Sequence, residues 1–126
     1  PAGSLAPPLS GLADNRVRAV AALAPLGVIF SAESLARVRI PTAVYEAEQD
    51  RYLVSRFHAQ WIASNLPGVD HRRVANARHF AFMDTPTRPI PTEDGDIGAD
   101  APGFDRPAFL SRLRSELIAF FDKALR

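Results

Sequence analysis

A change of period near residue 50 constrains this chain more than any other feature. The run Ile40-Pro41-Thr42-Ala43-Val44-Tyr45 is short and apolar and closes in the acidic cluster Glu46, Glu48, Asp50. Such a run reads as a strand buried on both faces, over residues 41–46, with Pro41 tolerated because it stands at the start. From Ser55 to Leu66 the apolar residues fall instead at steps of three and four: Val54, Phe57, His58, Trp61, Ile62, Leu66. That is the stripe of an amphipathic helix, and Pro67-Gly68 stops it. A charged third run, residues 71–75, is better suited to a sheet edge than to a centre. It delivers Asn76-Ala77-Arg78-His79.

The same alternation extends in both directions. Residues 1–15, rich in Pro, Gly, Ala and Ser, read as loop or extended chain, ending in the turn signal Asp14-Asn15. Arg16 to Pro25 begins as polar/apolar alternation and becomes continuously apolar, the pattern of a further buried strand over 17–24. Ser31 is placed to cap a short helix, Ser31 to Arg37, with Glu33 in its first turn. Residues 84–103 hold Pro86, Pro89, Pro91 and Pro102 and the acidic run Glu93-Asp94-Gly95-Asp96, so they read as a long loop without regular structure. Asp105 caps a last helix with Pro107 in its first turn and an apolar face of Phe109, Leu110, Leu113, Leu117, Phe120 and Phe121. Strands alternating with helices predict an α/β fold: about three parallel strands covered by helices. So thin a sheet leaves an apolar parallel edge to be covered.

Composition narrows the function classes. The 126 residues are 47% hydrophobic and 23% charged, which is globular, and are within the size of one domain. Fifteen basic against fourteen acidic residues give a net charge of +1, so there is no electrostatic case for nucleic acid or an anionic membrane. The pairs Arg16/Arg18, Arg72/Arg73 and Arg112/Arg114 read as solvated faces. No run approaches the ~20 apolar residues that span a bilayer. Without cysteine there is no disulfide, thiolate metal site or cysteine nucleophile in the chain. Pro1 opens the sequence with neither an initiator Met nor a signal-like leader, as a piece of something longer would.

An acid after one strand and a histidine after the next is the way a serine hydrolase presents two of its three catalytic residues. A serine hydroxyl becomes a nucleophile when an imidazole, oriented by a carboxylate, takes its proton. Histidine suits the task because its pKa lies near neutrality. In the α/β-hydrolase order the serine comes first, on a Gly-x-Ser-x-Gly turn, then the acid, then the histidine. Asp50 before His79 obeys that order, and no Gly-x-Ser-x-Gly occurs in the chain.

From about Arg16 to Arg126 the sequence resembles the C-terminal half of dienelactone hydrolase-like enzymes of the α/β-hydrolase superfamily. The resemblance is carried by Arg16 to Pro25, Ser31-Ala32-Glu33-Ser34-Leu35, Asn65-Leu66-Pro67-Gly68, His79-Phe80-Ala81-Phe82 and Pro102-Gly103-Phe104-Asp105-Arg106. It implies that residues 17–24, 41–46 and 71–75 are the sixth, seventh and eighth strands of that fold. It further implies that Asp50 is the triad acid and His79 the general base. The family's histidine usually follows a small residue, where this chain has Arg78. The serine elbow and the oxyanion loop of the family would precede Pro1. The substrate implied is a small ester or lactone, with no cofactor. The implied partner is the missing N-terminal half or another copy of the chain.

Other residues compete for these roles. Glu46 and Glu48 are alternative acids, one of which should turn outward as a solvated carboxylate. His58, on the helical stripe, reads as a partly buried, hydrogen-bonded core histidine, and His71 as a surface residue. The three histidines lack the spacing of metal ligands, and the 93–96 run lacks the pattern of a calcium loop. Trp61 and Phe120/Phe121 read as core. The reading from a different class is a non-catalytic α/β unit that pairs through its open sheet edge.

Overall fold

A computed structural model describes residues 14–93 and 95–126. Most of the expected loop at 1–15 lies outside the described residues, but its last turn is present: Asp14 accepts from the Val17 amide at 3.0 Å. Three strands, β1 (Val20–Leu23), β2 (Thr42–Ala47) and β3 (Asp70–Val74), form a parallel sheet in the order β1-β2-β3. Between them lie α1 (Ala32–Ala36), a single 3-10 turn (Ser55–Phe57) and α2 (Ala59–Asn65). After β3 come a second 3-10 turn (His79–Phe82), two-residue strands β4 (Pro91–Thr92) and β5 (Gly95–Asp96), and α3 (Arg106–Ala124). The mixed α/β class with a three-stranded parallel sheet and a C-terminal helix is thus as expected.

β2 is central, and all six of its residues are buried. Its side chains alternate between two apolar layers. Ala43, Tyr45 and Ala47 pack with Val74, Ala77 and Ala81 against Phe109 and Leu113 of α3. Val44 faces the other way, onto Leu35, Ala59, Ile62 and Leu66 of the α1–α2 layer. The side chain of Asp105 caps α3 by accepting from the Ala108 amide at 3.0 Å, and Ser31 caps α1 through Ser34 at 3.2 Å. β3 is an edge strand, as its charge suggests.

Three expectations need correction. β1 is neither as long nor as buried as the apolar run 17–24 implies. Val17 is exposed, and pairing starts only at Val20, whose amide donates to Pro41 at 3.0 Å. β2 offers no ladder partner further back, and among the described residues no strand flanks the outer edge of β1. The helix expected across 55–66 is broken at His58, whose backbone (φ −124°, ψ −98°) is not helical. There the His58 imidazole accepts from the Gly27 amide at 3.0 Å, and a Cβ at Gly27 would stand 2.5 Å from the His58 carbonyl oxygen. The close approach of two backbones decides the break. The long loop at 84–103 does contain regular structure, since β4 and β5 pair antiparallel with Pro91 opposite Asp96.

Candidate active site

The sheet ladder continues past its last strand residues and builds the site. The Glu48 amide donates to Val74 at 3.2 Å and the Gln49 amide to Ala77 at 2.8 Å. Asn76 takes the left-handed conformation (φ 58°), which asparagine tolerates, and turns its amide onto the Glu48 carboxylate at 2.8 Å. These bonds tie the exits of β2 and β3 side by side. Asp50 and His79 therefore meet although 29 residues separate them.

The Asp50 side chain is buried, only 4% of it exposed. One carboxylate oxygen accepts from the Tyr52 and Leu53 amides at 2.9 and 2.8 Å. The other lies 2.8 Å from Nδ1 of His79. With the carboxylate as acceptor Nδ1 is the donor, and in the neutral imidazole that tautomer leaves the lone pair on Nε2. Phe80 meets the imidazole edge-on with ring centres 4.8 Å apart, and Tyr52 is tilted against it at 5.7 Å. His79 lines a cleft of about 360 Å³ with Gln49, Arg51, Tyr52, Phe80 and Ile97. The two amides that fix Asp50 belong to a turn that Asp initiates by bonding the backbone two residues on. That signal is in the sequence, although periodicity does not single it out.

The competing residues have other work. Glu46 is 1% exposed and is held by Nε2 of His71 at 2.8 Å and by Gln60 at 3.0 Å, with Arg73 at 3.6 Å. Glu48 is the one turned outward, at 34% side-chain exposure. His71, expected at the surface, keeps 30% of its side chain exposed yet is anchored on the buried Glu46. His58 is a hydrogen-bonded core histidine as expected, and is buried rather than partly buried. The Arg72/Arg73 pair, read as a solvated face, is engaged in ion pairs: Arg72 with Asp70 and Glu116, Arg73 with Glu46 and Glu48. Beside Asp70, the Arg72 guanidinium holds the carboxyl below its ordinary range.

Arg106 is a buried residue that sequence reasoning places only within a resemblance block. Its side chain is 1% exposed and forks onto Asp100 through Nε and Nη2 at 2.7 to 3.0 Å, while Nη2 also donates to the Gly98 carbonyl at 2.8 Å. An arginine next to a helix cap looks like any solvated residue, so nothing local marks it.

Among the described residues no three His, Asp or Glu side chains converge as metal ligands would. No helix among them is long and apolar enough to cross a membrane. No serine hydroxyl among them is hydrogen-bonded to His79. The arrangement can orient an imidazole and let it accept a proton from a group brought to Nε2. Compared with known proteins, the chain matches no family model, no curated protein and no solved structure.

Proposed function

We propose that this chain is the C-terminal portion of a serine hydrolase acting on carboxylic esters or lactones, of the dienelactone hydrolase-like kind. In this reading Asp50 is the triad acid and His79 the general base, and the serine is carried on polypeptide outside the chain. The bond of 2.8 Å between the buried Asp50 side chain and Nδ1 of His79 carries the reading. It supplies two of the three features such chemistry needs: a fixed tautomer and a basic nitrogen left free. In the reaction Nε2 takes the serine proton as its oxygen attacks the carbonyl, then returns that proton to the departing alkoxide. Water repeats the sequence on the acyl-enzyme.

Hydrolysis of p-nitrophenyl esters and of a lactone, by the chain joined to its nucleophile-bearing half, tests this. His79→Ala should lower kcat by about 10⁶-fold with the circular dichroism unchanged. Equal turnover by the variant would overturn it.

The second reading is a non-catalytic α/β unit that pairs with a copy of itself. The outer edge of β1, which no strand among the described residues flanks, favours it, as do the exposed side chains of Leu26, Val28, Ile29 and Phe30. It gains if the joined polypeptide hydrolyses nothing and the chain alone sediments as a dimer.

A further inference from the structure

The His79 cleft has two sides of different origin. Gln49, Arg51, Tyr52 and Phe80 come from the segments that follow β2 and β3, but Asp96 and Ile97 come from the proline-rich segment far along the chain. That segment could be loose and is instead fastened at several levels. Asp96 accepts from the Ile90 and Gly98 amides at 3.0 and 2.9 Å, closing the turn around β4 and β5. The Ile97 amide donates back to Ile90 at 3.1 Å. Gly98 lies so close to Pro86 that a Cβ there would stand 2.7 Å from the proline ring.

The whole turn is then fixed to the body by one buried cation. Arg106, at the start of α3, binds both oxygens of Asp100 and the carbonyls of Gly98, Asp84 and Met83, the last two at 3.4 and 3.5 Å. It thus grips the segment at both ends, before β4 and after β5. Arg78, immediately before His79, adds a bond to the Ala99 carbonyl at 3.2 Å. A buried guanidinium costs several kcal/mol unless its donors are used, so these groups stay together or come apart together. Planar, five-donor geometry is what lets one side chain hold a carboxylate and backbone oxygens at once.

We infer that Arg106 is a positioning residue that holds Asp96 and Ile97 as a preformed wall of the His79 cleft, and that this wall sets how tightly the acyl or leaving group of the substrate is gripped. The catalytic half of this inference rests on the hydrolase reading; the positioning half does not. Held this way, the wall costs no ordering when substrate arrives. Arg106 lies behind the wall and acts on binding, whereas the dyad acts on the chemical step.

The test is Arg106→Lys, which keeps the charge and loses the fork. Amide hydrogen exchange at Ile97, Gly98 and Ala99 should quicken by about tenfold or more while the α3 amides keep their protection. In the hydrolysing polypeptide KM should rise by about fivefold with kcat within about twofold. Ile97→Ala, which leaves Arg106 and its bonds in place, should raise KM with the exchange pattern unchanged. Unchanged exchange in Arg106→Lys overturns the positioning role. Quickened exchange with unchanged KM, or a fall in kcat alone, overturns the role of the wall in binding. Should Arg106→Lys fail to fold, Asp100→Asn removes the same ion pair with less disturbance and is read by the same criteria. If the polypeptide hydrolyses nothing in any form, the hydrolase reading fails, and the exchange data still decide whether Arg106 holds the wall.

Discussion

Two carboxylate–imidazole pairs lie within one small sheet, and both close at 2.8 Å. Glu46–His71 crosses from β2 to β3 inside the ladder, whereas Asp50–His79 sits just beyond its end. In the first, Nε2 is the nitrogen that is used, and the glutamate is shared by His71, Gln60 and Arg73. In the second, Nδ1 is used, and backbone amides take up the remaining carboxylate oxygen. The distance is the same and the chemistry is not. Binding Nδ1 leaves Nε2, at the far side of a ring that lines a cleft, with no hydrogen-bond partner among the described residues. Binding Nε2 leaves only the nitrogen nearest the residue's own backbone. A short His–carboxylate contact therefore identifies a base only together with the nitrogen it engages.

The comparison breaks most sharply in turnover. Asp50→Asn, which can favour the wrong tautomer of His79, should lower kcat of the hydrolysing polypeptide by about 10⁴-fold, as measured by steady-state kinetics. His71→Ala should leave kcat within about threefold. Comparable losses from both would erase the distinction between the two pairs.

Stability should respond in the opposite sense. Glu46→Ala strips a shared partner from His71, Gln60 and Arg73 and opens space in the sheet, so chemical denaturation should show a loss of about 3 kcal/mol. Asp50→Asn keeps the shape and its backbone acceptor, and should cost about 1 kcal/mol.

The smallest effect sharpens the picture on the opposite face of β2. Tyr45 is 1% exposed; burial pushes its phenol up to about 12, against the pull of Arg72, and its bond to Glu116 at 3.1 Å adds to the rise. A pKa raised on folding contributes stability that is fully present below the unfolded value near 10 and is lost as pH climbs through the folded one. Denaturation midpoints should fall between about pH 10 and 12, and Tyr45→Phe should flatten that fall while costing about 1 kcal/mol at pH 7. An unchanged alkaline slope would mean that another group is responsible.

What the sequence makes legible follows from how local each cause is. The caps Ser31 and Asp105 act within three residues and are readable. Asp50 and His79 are readable because each follows a strand-like run, apolar before Asp50 and charged before His79, so their order along the chain carries the information. Glu46–His71 is not readable, because it depends on the register that sets Glu46 opposite Arg73. The break at His58 is hidden for a similar reason: its cause is Gly27, 31 residues away. Arg106 is hidden too: Asp100 and Gly98 precede it by only six and eight residues, but no local period announces the fold-back that brings them and the Met83 and Asp84 carbonyls onto one side chain.

The shared ladder between β2 and β3 has one more consequence. A strand slipped by a single residue turns each of its side chains to the opposite face. Such a slip would point His71 away from Glu46 and would also carry the exit of β3, with His79, out of reach of Asp50. The Glu46–His71 pair is thus a latch on the alignment of Asp50 with His79, and misalignment is penalised inside the sheet before it can reach the cleft.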